Sequence, residues 1–329
     1  MSDHSISDHS TSDHSTSGLT AAPFDLRGRR VWVAGHRGMV GSALVRRLAR
    51  DGITALTVDR AALDLRRRDA VEAWMTANRP EVVFLAAATV GGIAANLAQP
   101  TRFGHDNLAI ASHVIDAAGR AGVAKLMFLG APCVYPRLAP QPMAEASLMT
   151  GPPEPTNEAY AIAKLAGIAL CRAHRRQHGR DFISVIPTNL FGPGDSADPD
   201  ASHVVPALIR KVLRARAEGG AVEIWGSGAP RREFLHVDDA ADAMVFLMRH
   251  YSSEEVINIG SGEVVSIGEL AELIAAIMGF DGGFRYDTDR PDGMPRKQLD
   301  GGRLAAMGWR PTLSFMDALA ATCAAVAAA

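Results

Sequence analysis

Lysine is almost missing from this chain: four lysines stand against thirty arginines in 329 residues. Cysteine is as sparse, with only Cys133, Cys171 and Cys323. Three thiols argue against a disulfide framework, and no basic stretch followed by an apolar one reads as a secretory signal, so the expected setting is a reducing cytoplasm. Every apolar run falls well short of the ~20 residues that a membrane span needs. Neither charge sign dominates: the formal net charge is −2, and Asp3, Asp8 and Asp13 lie in a first stretch of seventeen residues that holds no Lys or Arg. A near-neutral body gives no electrostatic footprint for nucleic acid or for an anionic membrane.

What is present is ordinary globular composition, 47% hydrophobic and 21% charged, which excludes a rod, a collagen and a wholly disordered chain. A chain of this length buries about three quarters of its unfolded surface and needs no disulfide or metal staple. Residues 2–16 repeat as SDHSI, SDHST, SDHST. With nothing apolar to bury, residues 1–23 read as a disordered tail. His4, His9 and His14 suit a metal by type, but a flexible tail orders ligands poorly, so no metal site is expected.

From Phe24 onward, short apolar runs alternate with longer amphipathic ones. Strands are expected at Val31–Ala34, Ile53–Val58, Val82–Ala87, Lys125–Leu129 and Phe182–Ile186. Helices are expected at Met39–Arg50, Arg68–Asn78, 105–120 and Asn157–His178. Strands without polar alternation are buried on both faces, which argues a parallel sheet covered by helices on each side. The fold class is therefore α/β, a doubly wound parallel sheet of Rossmann type, spanning 24–194. After Gly194 the pattern loosens into shorter elements (Val204–Ala215, Ala221–Trp225, Val237–Arg249, Ile267–Met278), read as a smaller, mainly substrate-binding α/β lobe over 195–329. The Ala-rich C-terminal segment reads as a surface helix.

The loop Gly35-His36-Arg37-Gly38-Met39-Val40-Gly41 follows the first strand and opens the first helix. Glycines there allow a tight turn, close approach to a pyrophosphate and close helix packing, while the helix N-terminus offers free N–H groups. The second strand then ends at Asp59-Arg60, where such a fold reads the adenosine ribose. An acid accepts from a free 2′-hydroxyl and an arginine takes a 2′-phosphate, so the pair leaves NAD and NADP open. Asp64 and Leu65 could line an adenine pocket. Tyr160 and Lys164 lie one helical turn apart on one face. An ammonium there would favour the phenolate and bring it toward working pH. In a chain with four lysines and four tyrosines, that spacing points to acid–base chemistry.

The glycine loop, the third strand ending in Ala86-Ala87-Ala88 and Tyr160-x-x-x-Lys164 together resemble the extended short-chain dehydrogenase/reductase family. Further segments resemble its branch that acts on a GDP-linked 4-keto-6-deoxy sugar: Val31–Ala43, Val90-Gly91-Gly92-Ile93, Cys133-Val134-Tyr135-Pro136, Ser202–Leu208, Arg232–Asp239 and Pro295-Arg296-Lys297. The likeness runs from about 30 to 310. It implies 3,5-epimerisation followed by NADPH-dependent reduction at C4. Tyr160 would be the proton donor, Lys164 its partner, and Cys133 and His203 the acid and base of epimerisation. The cofactor would lie along residues 35–41, Arg60 (at the 2′-phosphate), Asp64, Leu65, Leu129, Gly130, Ala131, Pro132, Lys164, Pro187, Thr188, Asn189, Leu190 and His203. Lys211, Trp225, Arg232 and Asp292 would hold the GDP-sugar. The family precedent is a homodimer built on two helices per subunit, here 105–120 and 157–178.

Two positions depart from the pattern. The family's catalytic serine is Ala131 here, and a common lysine is Thr89. Losing one preorganised donor costs ~10²–10³ in rate. A different nucleotide-sugar epimerase or reductase, or an impaired cofactor-binding homologue, are the competing readings.

Overall fold

The computed structural model describes residues 22–195, 203–290 and 292–328. The SDHS repeat with His4, His9 and His14 lies outside them. The first half runs β1 (Val31–Ala34), α1 (Met39–Arg50), α2 (Arg68–Asn78), β2 (Val82–Leu85), α3 (Ile93–Ala98), α4 (Pro100–Arg120), β3 (Lys125–Leu129), α5 (Glu158–His178) and β4 (Asp181–Pro187). The second half runs β5 (Asn189–Phe191), α6 (Val204–Glu218), β6 (Val222–Trp225), β7 (Arg231–His236), α7 (Val237–His250), β8 (Ile257–Ile259), β9 (Val264–Ser266), α8 (Ile267–Ile277), β10 (Phe284–Asp287), β11 (Arg296–Lys297), α9 (Gly302–Ala306) and α10 (Phe315–Ala327).

The main sheet is parallel throughout, in the order β1-β2-β3-β4-β8. Successive residues of a strand face opposite sides. Val31, Val33, Val82 and Phe84 thus join one buried cluster with Leu44 of α1 and Met244 of α7. Trp32, Ala34, Val83 and Leu85 join another with Val71 of α2, Val114 of α4 and Ile168 of α5. Both faces are covered, as the unbroken apolar strands require.

Three expectations need correction. The strand expected over 53–58 is reduced to a bridge at Leu56, whose N–H donates to Val31 O at 2.7 Å and whose carbonyl accepts from Val33 N at 3.1 Å. This segment lies outside β1 on the sheet edge and finds a ladder partner on one side only. The strand expected over 82–87 stops at Leu85, where the chain turns away after Ala86 N reaches Ala34 O at 3.0 Å. The helix expected at 105–120 begins at Pro100, a residue whose missing N–H suits a first helical turn.

Nor does the chain divide once at 194. Helix α7 packs on α1, and β8 completes the main sheet beside β4. Ile257 and Ile259 are fully buried, so this short strand takes the free edge of β4 where a ladder partner is available. The smaller lobe comprises β11-β7-β5 with β9 antiparallel on β7, the pair β10-β6, and helices α6, α8 and α10. Helix α10 is more than a surface helix, since Leu319 and Cys323 are buried against α6 and α8.

Candidate active site

The glycine loop is shaped partly by the fold and partly for something else. Gly35 has φ +90°, and a Cβ there would lie 2.7 Å from the Ala87 backbone. A Cβ on Gly41 would lie 2.1 Å from Gly35 O. Gly38 is different: a Cβ would meet nothing nearer than Gly35 O at 3.5 Å. The fold does not require a glycine at 38, whereas a ligand on the loop would. Gly38 caps α1 without any side-chain hydrogen bond, so the first N–H groups of α1 (Met39, Val40, Gly41) lack a side-chain cap. A bare helix N-terminus beneath such a glycine suits a pyrophosphate.

A cavity opens beside this loop, at the point where the sheet order reverses between the Leu56 edge and β2. It is lined by Gly35 to Gly38, Arg60, Asp64 and Leu65, with Trp32, Leu63 and Ile110 giving it an apolar floor. Asp59, which left the ribose chemistry open, is already engaged. Arg37 grips it with both nitrogens, at 2.6 and 2.7 Å, and His36 Nε2 lies 3.3 Å away. Arg60 lines the cavity and makes no ion pair with a described residue. A neutralised acid beside two arginines fits a 2′-phosphate better than a free hydroxyl. Asp64 accepts from Arg66, which holds its carboxyl down at about 2.

The acid–base residues sit at the ends of β3 and α5. Cys133 is buried in the single turn Pro132–Val134 that follows β3, with Ala131 as its N-cap. Lys164 is 4% exposed and donates to Leu129 O at 2.8 Å. Burial lowers its pKa to about 8. Its ammonium stands 5.8 Å from the Tyr160 ring centroid. The charge of Cys133 is felt by both Tyr160 and Lys164, and Leu129, the anchor of Lys164, ends the strand that leads into the Cys133 turn. The expected lowering of the phenol by the ammonium is not met. Desolvation pushes Tyr160 well above the usual tyrosine range, because the low-dielectric surroundings penalise the phenolate. A phenol that stays protonated suits a proton donor. Burial likewise pushes the Cys133 thiol up to about 11.

His203 caps α6 and its Nδ1 lies 2.8 Å from Asp195 Oδ1. That hydrogen bond, the largest effect on it, raises its pKa despite burial. The segment 187–190 crosses from the sheet to the smaller lobe. Thr188 N donates to Ile259 O, and Asn189 Nδ2 donates to Glu233 O at 2.8 Å. Gly130 N donates to Val185 O at 2.8 Å, fixing the loop that leads to Ala131 and Pro132.

The expected sugar-nucleotide residues gather in the smaller lobe. Lys211 Nζ lies 5.2 Å from the centroid of the half-exposed Trp225 ring, and Arg290 Cζ lies 4.9 Å from it. Asp292 accepts from Ser227 N and Oγ, both at 2.7 Å. Arg232 donates to Met294 O at 2.7 Å, and burial lowers its pKa.

Sequence reasoning missed Asp195, eight positions before its histidine, and the Arg37–Asp59 pair. It also missed Glu233, a fully buried carboxylate. One of its oxygens accepts from Ser261 N and Gly262 N, and the other from Leu299 N at 2.8 Å. None of these has a spacing signature. Lys297 lay in a quoted motif and was given no role.

The chain was compared with known proteins. The NAD dependent epimerase/dehydratase family matches residues 31–260. A GDP-L-fucose synthase of Sinorhizobium fredii is 52% identical over 296 residues, covering 90% of this chain and 94% of that protein. The GDP-L-fucose synthase of Escherichia coli is 48% identical, covering 89% and 95%. Among solved structures, a GDP-6-OMe-4-keto-L-xylo-heptose reductase from C. jejuni superposes with a TM-score of 0.86 at 31% identity, covering 91% of this chain and 98% of that one. A GDP-L-fucose synthetase from Naegleria fowleri bound to NADP superposes with a TM-score of 0.84 at 29% identity, covering 93% and 96%.

Proposed function

Since the chain belongs to the NAD dependent epimerase/dehydratase family, we propose that it converts GDP-4-keto-6-deoxy-D-mannose to GDP-L-fucose, by 3,5-epimerisation and then NADPH-dependent reduction at C4. The observation that carries this reading is that Lys164, 5.8 Å from the Tyr160 ring centroid, is anchored on Leu129 at the end of the strand that leads into the Cys133 turn. A reductase alone needs a proton donor for one oxygen; a thiol so near in the chain adds a group for moving a carbon-bound proton.

Protons at C3 and C5 are α to the keto group and leave through an enolate. Cys133 and His203 serve as the base and acid on opposite faces of the ring. Asp195 favours the imidazolium, which fits His203 as the acid. NADPH, when bound, supplies hydride to C4. Tyr160 gives its proton to the oxygen, and the Lys164 ammonium, anchored on Leu129 O, stabilises the phenolate left behind. The bare N-terminus of α1 and the loop 35–41 suit the pyrophosphate of the cofactor, and Arg37 and Arg60 suit its 2′-phosphate. Residues 129–132 and 187–190 flank its nicotinamide end. Trp225 offers a face for stacking the base of the substrate, with Lys211 and Arg232 as cations for its diphosphate and Asp292 beside them.

Exposed Leu108 on α4 and Ile162 on α5 support these two packed helices as the face of a homodimer. Three buried, unpaired cysteines support a reducing cytoplasm. Among the described residues no helix is long and apolar enough to cross a membrane. Ala131 in place of a hydroxyl favours a second reading, a slowed or impaired relative.

Single-turnover oxidation of bound NADPH by the 4-keto sugar tests the assignment. Tyr160→Phe should lose reduction by ~10²–10⁴-fold yet keep solvent-deuterium exchange at C3 and C5. Absence of both exchange and oxidation in the unmodified protein would overturn the proposal.

A further inference from the structure

The cavity beside the glycine loop holds a cation that the cofactor reading leaves without a task. Arg66 lines it, half-buried, two positions after Asp64. Asp64 grips one edge of its guanidinium: Nε donates to Oδ1 at 3.0 Å and Nη2 to Oδ2 at 2.7 Å. On the other edge, Nη1 donates to both oxygens of Asp106, at 3.3 and 3.4 Å.

The acid on that far edge is fixed by the fold. Asp106 lies on α4 and is only 5% exposed. Thr89, which lines the same cavity, donates its hydroxyl to Asp106 Oδ2 at 3.1 Å. The next residue of α4 clamps the Thr89 main chain: Asn107 Oδ1 accepts from Thr89 N at 3.0 Å, and Asn107 Nδ2 donates to Thr89 O at 2.8 Å. Arg102 and His105 also approach Asp106, at 4.0 and 3.7 Å, from exposed positions. Arg66 thus ties the turn at 64–66 to α4, and its plane is held from both ends.

Charge and shape decide what such a group can hold. Two carboxylates offset its single positive charge, so little is left for a phosphate. A guanidinium is planar, delocalised and weakly hydrated, and it stacks on aromatic rings. With both edges taken by carboxylates, its flat face is what it offers a ligand. Asp64 is equally committed. The Arg66 main-chain N–H also donates to its Oδ1, at 3.0 Å, which leaves it little with which to read the edge of a base. Trp32, Leu63 and Ile110 give the cavity its apolar floor. A guanidinium face in a cavity with such a floor suits a flat aromatic base.

We propose that Arg66 stacks on the adenine of the bound dinucleotide, with Asp64 and Asp106 holding its plane in place. This rests on the placing of the cofactor in this cavity under the function proposed above. Arg37 and Arg60 answer the 2′-phosphate, which NADPH carries and NADH lacks. Arg66 answers the adenine, which the two share. Loss of the Arg66 plane therefore weakens both cofactors alike, whereas loss of Arg60 weakens NADPH alone.

The test is the Kd of NADPH, of NADH and of reduced nicotinamide mononucleotide, which has no adenine, each titrated by nicotinamide fluorescence. Urea midpoints report the fold. Arg66→Lys keeps a cation between the two carboxylates and removes the plane. It should weaken NADPH and NADH by the same factor, about tenfold, and leave the mononucleotide unchanged. Arg66→Ala should show the same pattern. Weakening of NADPH alone would make Arg66 a ligand of the 2′-phosphate and overturn the proposal. An equal loss for all three ligands would make it a structural bridge and overturn it too. Unchanged affinities in Arg66→Lys also overturn it, and Arg60→Ala then separates two failures. If that variant weakens NADPH, the cofactor still lies in this cavity and the stacking alone is wrong. If it changes nothing, the placing of the cofactor falls as well.

Discussion

Asp195 Oδ1 lies 2.8 Å from His203 Nδ1 at the N-terminus of α6. The carboxylate raises the imidazole pKa, so His203 keeps its proton to a higher pH than an ordinary histidine near ~6.5. Asp195→Asn should bring that pKa down. The alkaline fall of C3 and C5 exchange should then begin about one unit lower, with about tenfold less activity above it. A raised folded-state pKa adds stability below the unfolded value and loses it as pH rises through the folded one. The variant should therefore be less stable than the parent at acidic pH and should converge with it at alkaline pH. A pH–rate profile and denaturant midpoints at two pH values check both parts.

The cofactor preference follows from who holds Asp59. Arg37 occupies both of its oxygens, and Arg60 remains on the cavity wall. A hydrogen bond to a charged group is worth about 1.5–3 kcal/mol. Arg60→Ala should therefore lower kcat/KM for NADPH by about 10- to 100-fold and leave NADH little changed. Equal use of the two cofactors by the unmodified protein, unchanged in the variant, would put the 2′-phosphate elsewhere.

The glycine loop, the sheet and the Tyr160–Lys164 pair were legible because each has a local cause. A strand–turn–helix needs glycines, buried strands need unbroken apolar runs, and one helical turn sets a spacing. Most first-half boundaries fell within a few residues for the same reason, as with Met39–Arg50. The strand at 53–58 misled because its pattern said nothing about lying on an edge. Strands β5, β8, β9 and β11 escaped notice because they are two or three residues long and take partners distant in sequence, as β8 does with β4; β7 and β10 carry charged residues and show no unbroken apolar run. The same holds within the site. The ionisation of Cys133 and Tyr160 is set by desolvation, which no spacing reports. Asp195 meets a histidine eight positions away.

Glu233 is the buried joint between these lobes. Its carboxylate satisfies Ser261 N, Gly262 N and Leu299 N, and its own carbonyl accepts from Asn189. Glu233→Ala leaves the buried Leu299 N without a partner, at ~1–3 kcal/mol, while Ser261 N and Gly262 N are only part-buried and can turn to water. A loss of about 1–3 kcal/mol is expected in urea unfolding. If the variant unfolds at the parent's midpoint, the carboxylate is not holding the 261–262 turn and β11 in place.

Ala131 is expected to limit how fast the 4-keto group is reduced. It has an extended backbone, φ −156° and ψ 154°, and caps the turn that carries Cys133. Any residue adopts that conformation, so a serine fits without strain. Pro132 takes the first position of the turn, where its missing N–H costs little. The protein therefore lacks a side-chain hydroxyl here, not a backbone that could present one. With alanine, the proposed donor Tyr160 would meet alone the negative charge that develops on the C4 oxygen as hydride arrives. A water beside Ala131 would replace the donor in part, since it is ordered at a cost and held less firmly. Ala131→Ser should raise kcat for reduction by about tenfold or more, equivalent to about 1.4 kcal/mol of transition-state stabilisation. The Kd for NADPH should stay constant, because loop 35–41 and Arg60 are untouched. Deuterium exchange at C3 and C5 should rise less than reduction, because Cys133 and His203 are the groups proposed for that step. If Ala131→Ser adds nothing to either step, another group already stabilises the oxygen. If neither protein reduces the 4-keto sugar while both bind NADPH, the impaired-relative reading stands.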